Sequence, residues 1–331
     1  MDDLKYGKRN KRGDWAPDAP LTIAPFWSRR PDPIKILKWL PGYFLPWNLA
    51  FAVTAVLWWR FVIPDVEVLK TLHWAWVLQL YAVNAAAVFL FYGALELRLY
   101  WQRGQGTRFK YNARFPGDQT SDVFWFGSQN IDNALRNFGW GVGSWTAVES
   151  GMLWAYANGW APWLSFSQNP WTLGLVAFFV PVIHETHFYL IHRLIHTPFL
   201  YKWVHSVHHN SVNPTPWSSL SMHPGEALAY FGVMGWHLIL PSNPVLALYQ
   251  LHFAGFGAVV GHIGFDTIEV GEGGFGSHAY AHYLHHKYFE VNYSDGTVPL
   301  DWLFGTWHDG SAEGEALMEA RFAAKKGKVN R

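Results

Sequence analysis

No cysteine occurs anywhere in the 331 residues. That absence excludes disulfides, cysteine-ligated zinc, iron–sulfur clusters and thiol catalysis. Charge is scarce as well: Asp, Glu, Lys and Arg make up 15% of the chain, where a soluble protein carries about a quarter. Too few charges are left to coat a water-facing surface. The formal net charge of +1 excludes bulk electrostatic attraction to nucleic acid or to acidic substrates. Apolar and aromatic residues are what the chain has in plenty. Half of it is hydrophobic and 21 residues are Trp, a membrane-like composition rather than that of two or three soluble domains. The other excess is histidine: 17 in all, 16 of them between His184 and His308.

Apolar runs of about 20 residues are long enough to cross a bilayer, and the sequence offers four. The first extends from Tyr43 to Pro64, with Arg60 near its far end, where it can snorkel. The second, Thr71 to Leu95, contains no Asp, Glu, Lys or Arg. From Asn137 to His184 the sole such residue is Glu149. That stretch divides at Ser165–Pro170 into a third span, Asn137–Ala157, and a fourth beginning at Trp171. The apolar run at Tyr43 starts too late for a cleaved signal peptide. Lys and Arg crowd the N-terminal segment and the loop carrying Arg98, Arg103, Arg108, Lys110, Arg114 and Arg136, while the other two loops hold Lys70 alone. By the positive-inside rule the N-terminus is expected in the cytoplasm, together with the C-terminus and everything after about His192. Two more apolar stretches, Ala227–Leu240 and Val245–Gly264, join through Pro241-Ser-Asn-Pro244, a turn signal. Parity requires that both cross or neither does, and a hairpin dipping into the bilayer face is expected.

The fold class that follows is an all-α integral membrane protein. It has about four transmembrane helices plus a re-entrant or interfacial hairpin, capped by a cytoplasmic, helical, histidine-rich di-metal domain. The expected division is a basic cytoplasmic segment (1–42), a transmembrane region ending in the first histidine cluster (43–200), a histidine-rich cap with its hairpin (201–310), and a C-terminal helix and tail (311–331).

Three histidine clusters carry the chemistry. His192 and His196 are spaced i, i+4, one helix face. His205, His208 and His209 form His-x2-His-His, as do His282, His285 and His286, which places each trio on one face. A lone histidine on an apolar face is ordinarily a satisfied core residue, but eight of them in three clusters cannot each find a separate buried partner cheaply. They read as metal ligands. Eight imidazoles are too many for one ion, so two metals with four or five nitrogens each fit the count. Imidazole suits iron, zinc, copper and nickel alike. Glu185, seven residues before His192, is a candidate to accept the far N–H of a ligand imidazole; a bland role at the end of span four competes with it. His262 is expected to complete one metal shell. His223, in Met-His-Pro-Gly-Glu226, and His278, in helical register with His282, are further candidates as ligands or their supports. His73, His237, His252 and His308 default to structural roles, and His184 and His187 lie on other helix faces. His184-Glu-Thr-His187 is one residue short of a zinc-protease motif, and Gly271–Gly276 follows no strand, so it is a loop rather than a phosphate cradle.

In order and spacing, these motifs resemble the fatty acid hydroxylase / sterol desaturase superfamily of membrane di-iron enzymes, over roughly Trp171 to Gly310. The likeness rests on the run from Glu185 to His196, on Lys202-Trp-Val-His-Ser-Val-His-His209, on Met222-His-Pro-Gly-Glu226 and on Gly261-His-Ile-Gly264. It continues in His282-Tyr-Leu-His-His286, Asn292-Tyr293 and Asp301-Trp-Leu-Phe-Gly-Thr306. Two departures stand out: Glu185 where the family more often has Asp, and Ser294 after Asn-Tyr where Gly is usual. The resemblance implies two iron ions held by the clustered histidines and O2-dependent hydroxylation or desaturation of a lipid drawn from the bilayer. With no haem, flavin or cysteine cluster to supply electrons, a separate donor of cytochrome b5 or ferredoxin type is expected, in a bacterial inner membrane or the endoplasmic reticulum. A di-zinc membrane hydrolase acting on a lipid ester or amide is the competing reading; a metal transporter would need its ligands near the bilayer midplane.

Overall fold

The structure, a computed structural model, describes residues 1–329, with side chains to Lys325; the last residues of the expected tail lie outside the described residues. It is mostly helical. The helices are α1 (Pro33–Phe44), α2 (Trp47–Phe61), α3 (Val66–Leu69), α4 (Trp74–Glu96), α5 (Gln129–Arg136), α6 (Gly143–Ala157) and α7 (Pro170–Ile195). After the first histidine cluster come α8 (Pro198–Leu200), α9 (Ser206–His209), α10 (Pro224–Phe231), α11 (Pro244–His262), α12 (Tyr280–Tyr288), α13 (Leu300–Leu303) and α14 (Ala312–Val329). Two antiparallel hairpins accompany them: β1 (Gly7–Arg9) with β2 (Trp15–Pro17), and β3 (Thr267–Val270) with β4 (Gly273–Gly276).

Local chemistry sets many of the boundaries. Helices α1, α7, α8, α10 and α11 open on proline, whose missing N–H is one of the donors a helix start leaves unused. Asp32 caps α1 by accepting from Ile34 N–H at 2.9 Å, and Asn243 caps α11 by accepting from Leu246 N–H at 3.1 Å. At its other end α11 stops at Gly264, whose φ of +74° only glycine adopts freely, and where a Cβ would meet the Tyr100 hydroxyl at 2.3 Å.

Three helices are long and apolar enough to cross a membrane: α4 with its π-helical continuation (Trp74–Trp101), α7 and α11. The pair α1 and α2, bent by 45°, makes a fourth. The protein is therefore an integral membrane protein, and the first, second and fourth expected spans are found. Large apolar side chains such as Val53, Val56 and Phe61 on α2, Phe89 and Leu90 on α4, and Trp171, Leu175 and Leu194 on α7 face outward, as a lipid-facing surface requires.

The third expected span is corrected. Helix α6 continues a π-helical stretch, Asn137–Val142, so the segment is long enough, but it does not qualify by apolarity, because Ser144, Thr146, Glu149 and Ser150 stud it with polar groups. It nevertheless runs through the bundle interior. At its far end Asn158 donates from Nδ2 to Lys70 O at 3.1 Å, and there Leu164 N–H also donates to Ser242 O at 2.7 Å. The expected hairpin is corrected too. Its first arm breaks into α10 and a 3-10 turn, Gly232–Leu238. Its second arm, α11, is the central helix, packed against α2, α6 and α7. An apolar sequence on every face belongs inside a bundle rather than on its surface. Gly255 permits the tightest of these approaches, since a Cβ there would strike the Trp145 ring at 2.1 Å. The hairpin leaves the histidine end at Glu226, turns beside Ser242 and returns at His262.

Three apolar clusters stabilise the fold, the smallest of them Leu69, Trp76, Leu80 and Leu153. One fills the bundle around Trp145, Phe231, Phe256, Tyr92 and Trp217. A second, around Trp15, Tyr100, Phe109, Tyr111, Phe265 and Tyr283, underlies α12. Lys110 is sealed in the second, its Nζ donating to Asn112 O at 2.8 Å above the rings of Tyr100 and Phe115, each 5.1 Å away. Burial pushes its ammonium down to about 7.

Candidate metal centre and its cavity

Four chain segments carry the clustered histidines to one end of the bundle. His192 lies in the last turn of α7 and His196 at its C-terminus. A π-helical turn, Tyr201–His205, delivers His205 into α9, which holds His208 and His209. His262 ends α11, and α12 presents His282, His285 and His286. Nine imidazoles thus meet in two groups. His192, His196, His205, His209 and His285 form one; His208, His262, His282 and His286 form the other; within each, the candidate donor atoms lie within 4.8 Å of one another. His262 is therefore brought in as expected. The two trios do not each serve one site: in α9 the i, i+4 pair His205 and His209 joins the first group while His208 joins the second. In α12 the pair His282 and His286 joins the second and His285 the first. Adjacent residues on a helix point about 100° apart, so neighbours diverge.

Five of the nine Nδ1 atoms meet an oxygen. His192 Nδ1 donates to Tyr293 O at 2.9 Å, His208 to Ser221 O at 3.2 Å, His262 to Ala258 O at 2.8 Å and His285 to Val291 O at 2.7 Å. His205 Nδ1 faces Glu226 Oε1 at 2.7 Å. A carbonyl accepts and cannot donate, so in these rings the proton is on Nδ1 and the Nε2 lone pair is bare. Yet His208 and His262, both with Nδ1 on a carbonyl, face each other through Nε2 at 3.1 Å; His192 and His205 at 3.2 Å and His209 and His285 at 3.0 Å also meet Nε2 to Nε2. Two lone pairs aimed at each other repel. Protonating them is no remedy, because burial, then the neighbouring imidazoles, hold the His205, His209, His282, His285 and His286 pKa values well below the usual histidine range. Burial likewise pushes His208 down to about 4. A shared cation removes the conflict, and an all-imidazole donor set fits a divalent transition metal in each group.

The remaining candidates sit elsewhere. His278 is not in register with α12, because that helix starts at Tyr280 and His278 has a left-handed φ of 58°. It lines the cavity instead. His223 is the N-cap of α10, its Nδ1 accepting from Gly225 N–H at 3.1 Å, so its lone pair is spent on a helix start. Glu185 touches no imidazole of either group: seven residues are two full turns, about 10 Å along the axis, and it lies against residues 296–298 with Oε1 unpartnered. The carboxylate that does orient a clustered imidazole is Glu226. The signal for it was in His-Pro-Gly-Glu226, which opens a helix packed against α7. Asp301 is the second group missed. It accepts from Tyr293 N–H at 3.0 Å, Ser294 N–H at 2.7 Å and Thr306 Oγ1 at 2.6 Å, which holds the Tyr293 carbonyl against His192.

A cavity of about 610 Å³ reaches the histidines. His192, His205, His208, His262 and His282 close one end, and Trp47, Phe51, Phe188, Tyr230 and Phe253 form apolar walls leading towards Trp39 and Tyr43 on α1. A second, more open cleft of about 470 Å³ lies over the five-histidine group, bordered by Arg193, His196, Tyr201, Glu290, Tyr293 and Arg321.

Residues 176–306 match the family model described as fatty acid hydroxylase. The chain is 27% identical over 158 residues to a Delta(7)-sterol 5(6)-desaturase of Aspergillus fumigatus, covering 46% of this chain and 40% of that protein. It is 32% identical over 122 residues to the Candida glabrata Delta(7)-sterol 5(6)-desaturase, covering 36% and 32%. With the Saccharomyces cerevisiae protein of the same name it shares 27% identity over 172 residues, covering 44% and 46%. The chain thus spans less than half the length of each of these curated relatives. No solved structure matches. The matched segment contains all nine imidazoles, the Glu226 and Tyr293 contacts and the Asp301 anchor, and over it the chain is similar to the fatty acid hydroxylase / sterol desaturase superfamily.

Proposed function

We propose that the protein is a membrane-bound di-iron oxygenase that hydroxylates or desaturates an unactivated C–H position of a lipid, using O2 and externally supplied electrons. The observation that carries this reading is the set of bare Nε2 atoms facing one another at the end of an apolar cavity. His192, His196, His205, His209 and His285 would hold one iron, and His208, His262, His282 and His286 the other. Bound iron supplies O2-dependent C–H cleavage, which no side-chain acid or base can perform. The chain's own groups do the rest. Glu226 and the carbonyls of Tyr293, Ser221, Ala258 and Val291 keep the protons on Nδ1, so that Nε2 stays a donor. Phe188, Phe253 and Tyr230 exclude water and align an apolar tail.

The Lys and Arg distribution supports a cytoplasmic histidine end, with both termini on that side, in a bacterial inner membrane or the endoplasmic reticulum. Electrons would come from a separate protein of cytochrome b5 or ferredoxin type. The cleft bordered by Arg193, His196 and Arg321 offers it an approach to the five-histidine group. Metal analysis of protein purified from iron-replete cells, with lipid mass spectrometry of cells with and without the protein, tests the reading. Two irons per chain and an O2-dependent product heavier by one oxygen or lighter by two hydrogens are expected. Zinc with turnover in the absence of O2 would establish a di-zinc lipid hydrolase instead.

A further inference from the structure

One wall of the cavity is a helix whose outer charges the protein itself does not answer. Trp39, Gly42 and Tyr43 of α1 line the cavity, and the Tyr43 hydroxyl donates to the Phe178 carbonyl of α7. Side chains at i, i+3 and i+7 share a helix face, so the rest of α1 sorts into two outer stripes. Ile34, Leu37 and Pro41 form an apolar one, with Ile34 and Leu37 64% and 66% exposed. Lys35 and Lys38, both exposed, form a basic one, and exposed Arg29 and Arg30 stand just before the helix. Between residues 26 and 44 these cations meet a single carboxylate, Asp32. Asp32 is occupied as the helix cap, accepting from Ile34 N–H at 2.9 Å and Lys35 N–H at 3.4 Å. Among the described residues no carboxylate pairs with Arg29, Arg30, Lys35 or Lys38.

Position fixes what the two stripes can meet. Helix α1 lies at the histidine end: the Trp27 indole donates to Thr297 O at 2.7 Å, and the Trp47 indole, at the start of α2, to Gly276 O at 3.0 Å. It turns 45° from α2, whose Val53, Val56 and Phe61 face outward. A helix slanting off the head of a span passes through the headgroup layer. There an apolar stripe reaches acyl chains and a basic stripe reaches phosphate. A symmetric contact with a second copy of the chain would set like charges against each other. A water-borne acidic protein would have to reach Ile34 and Leu37 at the depth of the lipid.

We propose that the basic stripe of α1, with Arg29 and Arg30, is a binding surface for the phosphates of anionic phospholipids in the leaflet at the histidine end, and that this seating steadies the cavity wall behind it. The inference concerns the bilayer rather than the metals, and holds for an oxygenase and a hydrolase alike. Coupling between binding sites is reciprocal, so anionic lipid tightens binding in the cavity.

The test uses the full-length, metal-loaded protein, whose lack of cysteine admits a single label. In nanodiscs of phosphatidylcholine with phosphatidylglycerol, a nitroxide on Leu37→Cys should be relaxed more by O2 than by a water-soluble nickel chelate. The reverse order overturns the proposal. Spin-labelled phosphatidylglycerol should associate at least about twofold more strongly than spin-labelled phosphatidylcholine, read from the motionally restricted fraction. The fourfold variant Arg29→Gln, Arg30→Gln, Lys35→Gln and Lys38→Gln should bring the two lipids close to parity. Lys5→Gln, Lys8→Gln, Lys11→Gln and Arg12→Gln together remove the same charge from the N-terminal segment and should leave the preference intact. An unchanged preference in the first variant, with wild-type melting, overturns the proposal. So does an equal loss in the second, which would mark bulk charge rather than a site. Affinity for a fluorescent sterol should rise at least about twofold when phosphatidylglycerol is present, and should not respond in the first variant. Wild-type affinities that match in both membranes overturn the coupling to the cavity.

Discussion

Two of the buried polar clusters in this molecule are built on opposite rules. In the middle of the bundle, Trp58 Nε1 donates to Asn84 Oδ1 at 3.0 Å, and Asn84 Nδ2 donates to Glu149 Oε2 at 2.7 Å. Nearby, Thr54 Oγ1 and His252 Nδ1 meet at 3.0 Å. Each of these contacts pairs a donor with an acceptor across helices α2, α4, α6 and α11, and no ion is needed to reconcile them. At the histidine end, acceptor faces acceptor instead: His208 and His262 present bare Nε2 atoms 3.1 Å apart. The first cluster ties helices together and the second waits for a cation. Complementarity of hydrogen-bonding partners, rather than burial or histidine content, separates a structural polar cluster from a metal-binding one.

The sharpest way to break this contrast is to remove one histidine from the acceptor-rich cluster. His208→Ala is expected to lose metal from the four-histidine group and to lower turnover by more than about a hundredfold, beyond what loss of an outer partner causes; metal-to-protein ratio and product formation measure both. Full metal and full activity in that variant would remove the basis for the ligand assignment. Next in size, Glu226→Gln should weaken metal affinity or activity by about 10–100-fold. The amide no longer fixes the His205 proton on Nδ1, and titration with Fe(II) under anaerobic conditions reads the loss.

On the other side of the comparison, Asn84→Leu strands Trp58 Nε1 and Glu149 Oε2. Stability should fall by about 1–3 kcal/mol while metal content holds. The double change Asn84→Leu with Glu149→Leu should recover part of the loss, since an apolar pair of similar volume replaces a polar one. Thermal melting in detergent, with metal analysis alongside, checks both. The smallest effect concerns Lys110, whose ammonium gives up its proton near 7 in the folded chain. The unfolded chain keeps that proton up to a pKa of about 10.4. Between these values the unfolded state binds more protons, so stability rises with pH across that window. Lys110→Met should raise the melting midpoint at neutral pH by a few degrees and flatten its rise towards pH 10.

The sequence made the histidine spacing legible because i, i+4 and i, i+3 regularity survives any tertiary arrangement; all eight clustered residues arrive where their helices were expected. What it concealed was the partition between two groups, since that depends on how α9 and α12 rotate against each other. His278 went astray at a helix boundary: the glycine-rich segment 271–276 pairs as a hairpin, and the helix begins only at Tyr280. Glu185 misled through periodicity, because two turns that eclipse a side chain also carry it about 10 Å away. The bundle was read through hydropathy, which recovered α2, α4 and α7. It could not tell α11 as a central helix from a surface hairpin, because burial against protein and burial against lipid select the same residues. Asp301 was visible as part of a motif, yet its work, holding a carbonyl that holds a histidine, is a matter of loop geometry alone.

Helix α12 spaces the whole centre like a ruler. His285 and His286 are consecutive residues committed to different groups, and His208 and His209 repeat the arrangement on α9. The two helices are therefore shared struts, so seating one ion fixes the rotation of both and places the other site's donors at the same time. The ordering entropy of the second site is largely spent when the first fills. Loading should be cooperative, with half-filled protein scarce at any metal concentration. Sliding either helix by one residue would disassemble both sites together rather than trade one for the other.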